Sequence, residues 1–192
     1  MRGDSGQAFP IYIAVVAGLL FLAFAYFLVG QAAFTRSSAQ TAADAAALAA
    51  AQDARDQLRE GWLEVILAPE QWDEFLVGEA YDEAAACRRA AEFAALNGAA
   101  LSGPCEFLDP TGFRVTVTTQ NATASAEAVI ESHCEFTAPE PSSEPTPAPT
   151  PSGEPEDDPI VGLVCGDDPW EIDPEDPTLP DAMDLFTVRL SE

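Results

Sequence analysis

Between Ala8 and Val29 the chain reads AFPIYIAVVAGLLFLAFAYFLV, 22 residues without one charged side chain. As an α-helix this run is roughly 33 Å long, against about 30 Å for the hydrocarbon core of a bilayer. Pro10 falls in the first turn, where its missing N–H breaks no hydrogen bond, and Gly18 is compatible with a helix in lipid. Tyr12 and Tyr26 stand near the two ends, at the depth where aromatic residues collect. A cleaved secretory signal is the competing reading, because Gly30-Gln31-Ala32 offers small residues at a cleavage position. The run is longer than a signal core of about 7–15 residues, and only Arg2 precedes it. A retained transmembrane helix over 8–30 is the expectation, with a short cytoplasmic stub over 1–7.

Gln31 to Glu60 follows with no Gly and no Pro and is dominated by Ala, the best helix former. The membrane helix is therefore predicted to run on as a rod over 31–60, stopping near Gly61. Along it Ala42, Ala43, Ala46 and Ala50, with Asp44 and Leu48 between them, give a nearly smooth face. Small side chains let a second helix approach closely, so this face is read as a packing surface for other copies or for partner proteins.

The charge balance removes several functions. The net charge is −25, from 33 acids and 8 bases, and every base is Arg. So acidic a surface repels phosphate backbones, which excludes nucleic acid as a partner. Without Lys there is no P-loop, Schiff-base lysine or Ser–Lys pair, and the single His133 precedes Cys134 on a predicted strand, where neighbours point to opposite faces. No catalytic residue, cofactor-binding residue or metal ligand is singled out, and no cofactor is implied. Acids crowd the C-terminal part, at Asp157-Asp158, Asp167-Asp168, Asp173, Glu175 and Asp176, and their oxygens suit Ca²⁺, although Asp-Pro pairs there read equally well as turns.

The opening Arg2-Gly3-Asp4-Ser5-Gly6-Gln7, the apolar span, and Gln40-Thr41-Ala42-Ala43-Asp44-Ala45-Ala46-Ala47-Leu48-Ala49-Ala50-Ala51 together resemble TadE/TadG-like Flp (Tad) pilus-assembly proteins. The resemblance covers residues 2–55; the all-Arg, Ala-rich composition is similar to that of proteins from GC-rich actinobacteria. It implies a leader that ends in Gly, with cleavage between Gly6 and Gln7, and a structural role among other pilin-like proteins. A cut there places Ile11 where pilin-type members carry Glu, a departure that TadG-like members share.

Beyond Gly61 a small head is predicted. Pro69 opens a short helix, and Glu79 to Asn97 forms a longer one with Ala85, Cys87, Ala91, Ala94 and Ala95 facing a core. Phe113 to Thr119 alternates with period two, Ala124 to Phe136 is its antiparallel partner, and Leu185 to Leu190 adds a third strand. The fold class is thus α+β: a transmembrane helix, a long Ala-rich stalk helix, and a small helical and antiparallel β head. The head is divided into 61–136 and an acidic part over 160–192. Between them, 137–159 holds half of the 16 prolines and is expected to be a disordered insertion.

Cys87, Cys105, Cys134 and Cys165 make an even number behind a span and contain no C-x-x-C, which points to an oxidising compartment and two disulfides. Three pairings are open. Cys87 with Cys105 and Cys134 with Cys165 is expected if each bridge closes the excursion between its elements. The functional expectation is a pilin-like structural component of a Tad/Flp-type pilus-assembly or secretion system. It would be single-pass in the cell membrane, N-terminus cytoplasmic and head extracytoplasmic, and associate with the membrane, with pilus-assembly proteins and with itself. The alternative is a membrane-tethered extracytoplasmic binding or adhesion module, with Ca²⁺ as one ligand.

Overall fold

The computed structural model describes residues 8–109, 111–138 and 158–191. Gly6 and Gln7, and all but the ends of the 137–159 tract, lie outside the described residues. Helix α1 spans Ala8–Glu64, 57 residues in one piece. At 1.5 Å per residue it is about 85 Å long. It passes the predicted stop at Gly61, because Leu58 and Trp62, one turn apart, are both fully buried and hold the last turn in the core. Gly61 instead makes room: a Cβ there would lie 2.8 Å from the Phe75 ring. The chain then unwinds through turns closed by Val65 N–H to Trp62 C=O and Ala68 N–H to Val65 C=O.

After a 3₁₀ turn at Pro69–Gln71, α2 (Asp73–Leu76) is a single turn, shorter than the helix expected there. Helix α3 (Glu83–Leu96) starts at Asp82, whose carboxylate accepts from the backbone N–H groups of Ala84 and Ala85. It ends at Asn97, followed by Gly98 at φ +71°. Its buried stripe is Ala86, Ala90 and Ala94, so the predicted face, with Ala85 and Ala95 inward, is off by about one residue. Ala95 is in fact exposed. Between two alanines composition carries no gradient, and only the neighbouring charges mark the wet side.

The strands form two antiparallel sheets. The first orders β1 (Ala100–Leu101), β3 (Gly112–Thr118), β4 (Thr123–Ser132) and β8 (Phe186–Leu190), with β2 (Glu106–Leu108) sharing the β3 edge. Phe113, Val115 and Val117 point inward, as the alternation predicts, opposite Ala128, Ala126 and Ala124 of β4 respectively. The second sheet orders β5 (Cys134–Phe136), β6 (Ile160–Cys165) and β7 (Asp168–Ile172). The strand expected over 124–136 is therefore two: the chain changes sheets at His133, whose N–H donates to Leu185 C=O. β6 and β7 are joined by Gly166-Asp167, with Gly166 at φ +64°. This two-residue hairpin loop places Asp167 in a turn. Pro169 sits on β7, an edge strand, where no ladder bond needs its N–H.

At the bulge between Ile160 and Leu163, Gly162 has φ +106° and a Cβ on it would lie 2.2 Å from the Thr137 carbonyl oxygen. That approach is needed, because Thr137 N–H donates to Gly162 C=O at 2.9 Å. Gly162→Ala is expected to cost about 2 kcal/mol through backbone strain and displacement of Thr137. Chemical denaturation of the full-length chain in detergent checks this, and an unchanged midpoint refutes the strained approach.

Candidate functional site

The candidate functional surface is α1, whose exposure changes sharply along its length. From Phe9 to Ser38 nearly every side chain is exposed, including Phe9, Ile11, Leu19, Phe21, Tyr26 and Val29. From Ala39 onward the helix is inside the head. Ala39, Ala42, Ala43, Ala46, Ala47, Ala50, Ala51 and Ala54 have no exposed surface at all. Only Gln31 to Ser38 stands between the uncharged run and the first covered alanine, and the turn between β3 and β4 reaches this stretch at Asn121.

The alanines are covered by the chain's own elements. α1 packs chiefly against α3, β4 and β3. Ala86, Ala90 and Ala94 of α3 meet alanines of α1, so two smooth helices can approach closely and gain many dispersion contacts. The predicted use of Ala42, Ala43, Ala46 and Ala50 as a surface for other proteins is corrected: their surface is occupied by the head. Leu48 and Asp44 are partly buried at the rim. Gln40 Nε2 donates to Asp44 Oδ1 at 2.8 Å and to Ser125 C=O at 3.3 Å, which latches α1 to β4. Asp44 thus positions a latch inside the chain.

At the far end, Trp72 Nε1 donates to Val65 C=O at 3.0 Å, and its ring meets Trp62 and Phe136 edge-on, with centroids at 5.6 and 4.8 Å. This cluster ties the end of α1 to the second sheet. Arg59 adds a bond from Nε to Pro180 C=O at 3.0 Å. None of these long-range partners has a local sequence signal. They are found only once the sheet is placed.

Two disulfides complete the head. Cys87 joins Cys105, fixing α3 to the entry of the first sheet, and Cys134 joins Cys165 as directly opposed residues of β5 and β6. With Cys134 bridged, it offers no thiolate to His133, whose Nε2 instead lies 2.7 Å from Thr187 Oγ1. Among the described residues no group of three or more His, Cys, Asp or Glu is placed to hold a metal. Asp173 is used as a turn former, accepting from Glu175 N–H at 2.9 Å.

On the outer face of the first sheet Arg114 donates to Glu127 at 2.7 Å and to Glu106 at 3.3 Å, and Arg189 donates to Glu131. These hydrogen bonds hold Glu127 and Glu131 below the ordinary carboxylate range. Their stabilisation is present at neutral pH and is lost as pH falls through the lowered values. Both pairs are exposed, so the effect on stability is small.

The uncharged, uncovered helix and the start of the alanine stripe fall in one stretch that is similar to a known family. Residues 6–53 match the model of the Tad family, Flp pilus-assembly TadE/G-like. This stretch is a TadE/G-like segment. No curated protein and no solved structure matches the chain. The TadE/G-like segment takes in the bare apolar run and most of the buried alanines, and stops before Trp62. Its Gln40–Asp44 pair and its alanines are the seat of the head in this chain.

Proposed function

We propose that this chain is a membrane-anchored, pilin-like structural component of a Tad/Flp-type pilus-assembly system. Its N-terminus is cytoplasmic and its head lies outside, where the two bridges persist. The observation that supports this reading is the coincidence of the TadE/G-like segment with the change in exposure along α1. The bare part of α1 inserts in lipid, and the covered part carries the head immediately above it.

Since the alanines from Ala39 onward are occupied, contacts with other assembly components fall to the span itself and to the outer surface of the head. In lipid such contacts depend on close packing, because burial of apolar surface gives no drive there. Exchanging 9–29 for an unrelated Leu-rich span is expected to leave insertion and head folding intact and to abolish co-purification with pilus-assembly proteins. Retained co-purification would assign recognition to the head and favour the tethered binding module.

A further inference from the structure

Among the described residues, acids are missing from one end of this molecule. Of the 33 acids in the chain, none falls between Ala8 and Ala43 and none between Val115 and Ala126. The fold brings these two stretches together, with the turn between β3 and β4 set against α1 at Gly30 to Arg36. In a chain of net charge −25, the end of the head nearest the apolar run is therefore uncharged except for Arg36 among the described residues.

Arg36 is also distinct among the arginines. Arg55, Arg88, Arg89, Arg114 and Arg189 each have an acidic partner, and Arg59 bonds a carbonyl, whereas Arg36 has no ion pair among the described residues. It lies seven residues beyond Val29, about 10 Å along the helix axis. Helical side chains lean toward the N-terminus, so its guanidinium leans back toward the apolar run, to the depth of lipid headgroups. Arg36 lines a cleft with Asn121, whose exposed carboxamide makes no hydrogen bond to the described residues. The Thr35 hydroxyl in the same cleft is already committed to Gln31 C=O at 2.9 Å.

A second groove shares Asn121 with this cleft and continues down α1 along Tyr26, Gly30 and Phe34. These three residues are spaced by four, on one face of the helix, as aromatic, gap and aromatic. Nothing lies within 4 Å of where a Cβ on Gly30 would be, so the gap is open to the outside. Polar donors above and an apolar notch below are the two halves of a phospholipid site.

We propose that Arg36 and Asn121 seat the phosphodiester of a membrane phospholipid, with the start of one acyl chain in the Tyr26–Gly30–Phe34 notch. The site fixes the height and rotation of the head above the bilayer. This inference rests on the reading of α1 as a membrane anchor. Dioleoyl phosphatidylglycerol is titrated into the delipidated full-length chain in a neutral, phosphate-free detergent and followed by native mass spectrometry. One lipid is expected to bind saturably, about tenfold more weakly to Arg36→Ala, with most of the affinity kept by Arg36→Lys and all of it by Arg189→Ala. Equal binding by the parent and Arg36→Ala overturns the proposal. So does equal binding of dioleoylglycerol, which lacks the phosphate, or displacement of the lipid by millimolar inorganic phosphate. Alkaline carbonate extraction of the chain from membranes separates the two readings. Release overturns both the anchor and the lipid seat, whereas retention with an unaffected Arg36→Ala variant overturns the seat alone.

Discussion

Replacing Ala43, Ala46 and Ala50 together by Leu is expected to abolish cooperative folding of the head. Each of the three has no exposed surface, and each substitution forces three additional carbons between α1 and the elements covering it. Overpacking of this kind costs about 1–3 kcal/mol per site, so the sum is comparable with the roughly 5–15 kcal/mol that holds a domain together. Helix propensity does not offset it, since Leu and Ala are both good helix formers. Near-ultraviolet circular dichroism of Trp62, Trp72 and Trp170 in the full-length chain in detergent reads the loss. Gln52→Leu, on the exposed side of the same helix, is the control and leaves the signal unchanged. Persistence of the parent transition in the triple variant would mean that the head does not grip α1 through these alanines.

The same residues show where the sequence is readable and where it is not. That Ala42 to Ala51 packs against something follows from side-chain size; what it packs against does not. A methyl group is compatible with a neighbouring copy, a partner or the chain's own head, and the choice is made by α3 and the first sheet, more than thirty residues downstream. The phase of α3 was illegible for the same reason. Ala85, Ala86, Ala90 and Ala91 differ in no chemical property, and the true face is set by α1, on which α3 packs, and by the Cys87–Cys105 bridge.

Elements with their own chemistry were legible. The uncharged run to Val29 needs only length and hydropathy, and the face carrying Phe113, Val115 and Val117 needs only period two. β6 and β7 are hidden because Gly162 interrupts the first, Pro169 sits in the second, and Asp167-Asp168 at the start of the second has the composition of a calcium loop. In the structure Gly162 is a bulge, Pro169 lies on an edge, and Gly166-Asp167 is a hairpin turn. Trp62 shows a stop signal outweighed by packing: Gly61 costs about 1 kcal/mol in a helix, less than the fully buried Trp62 contributes by continuing it. At the candidate site Gln40 and Asp44 could be paired from their i,i+4 spacing alone. Their bond to Ser125, and the meeting of Arg36 with Asn121, required the hairpin to be placed.

Removal of the Cys134–Cys165 bridge is expected to destabilise the head by about 3–4 kcal/mol, the chain-entropy value for a loop of this length. The sequence separation is 31 residues, and the bridge joins strands that meet only at the register Cys134 to Cys165, Glu135 to Val164 and Phe136 to Leu163. Three paired positions are too few to hold a sheet edge without the covalent tie. Because Phe136 packs on Trp72, opening this sheet also loosens the end of α1. Denaturant titration of Cys134→Ser/Cys165→Ser against the parent measures the loss. The loop term varies only with the logarithm of length, so deleting Ser142 to Glu156 from the bridged chain changes stability by only about 0.6 kcal/mol. A much larger effect of the deletion would show that the prolyl tract packs on the head. An unchanged midpoint in the double Ser variant would show that the two strands stay paired without their bridge.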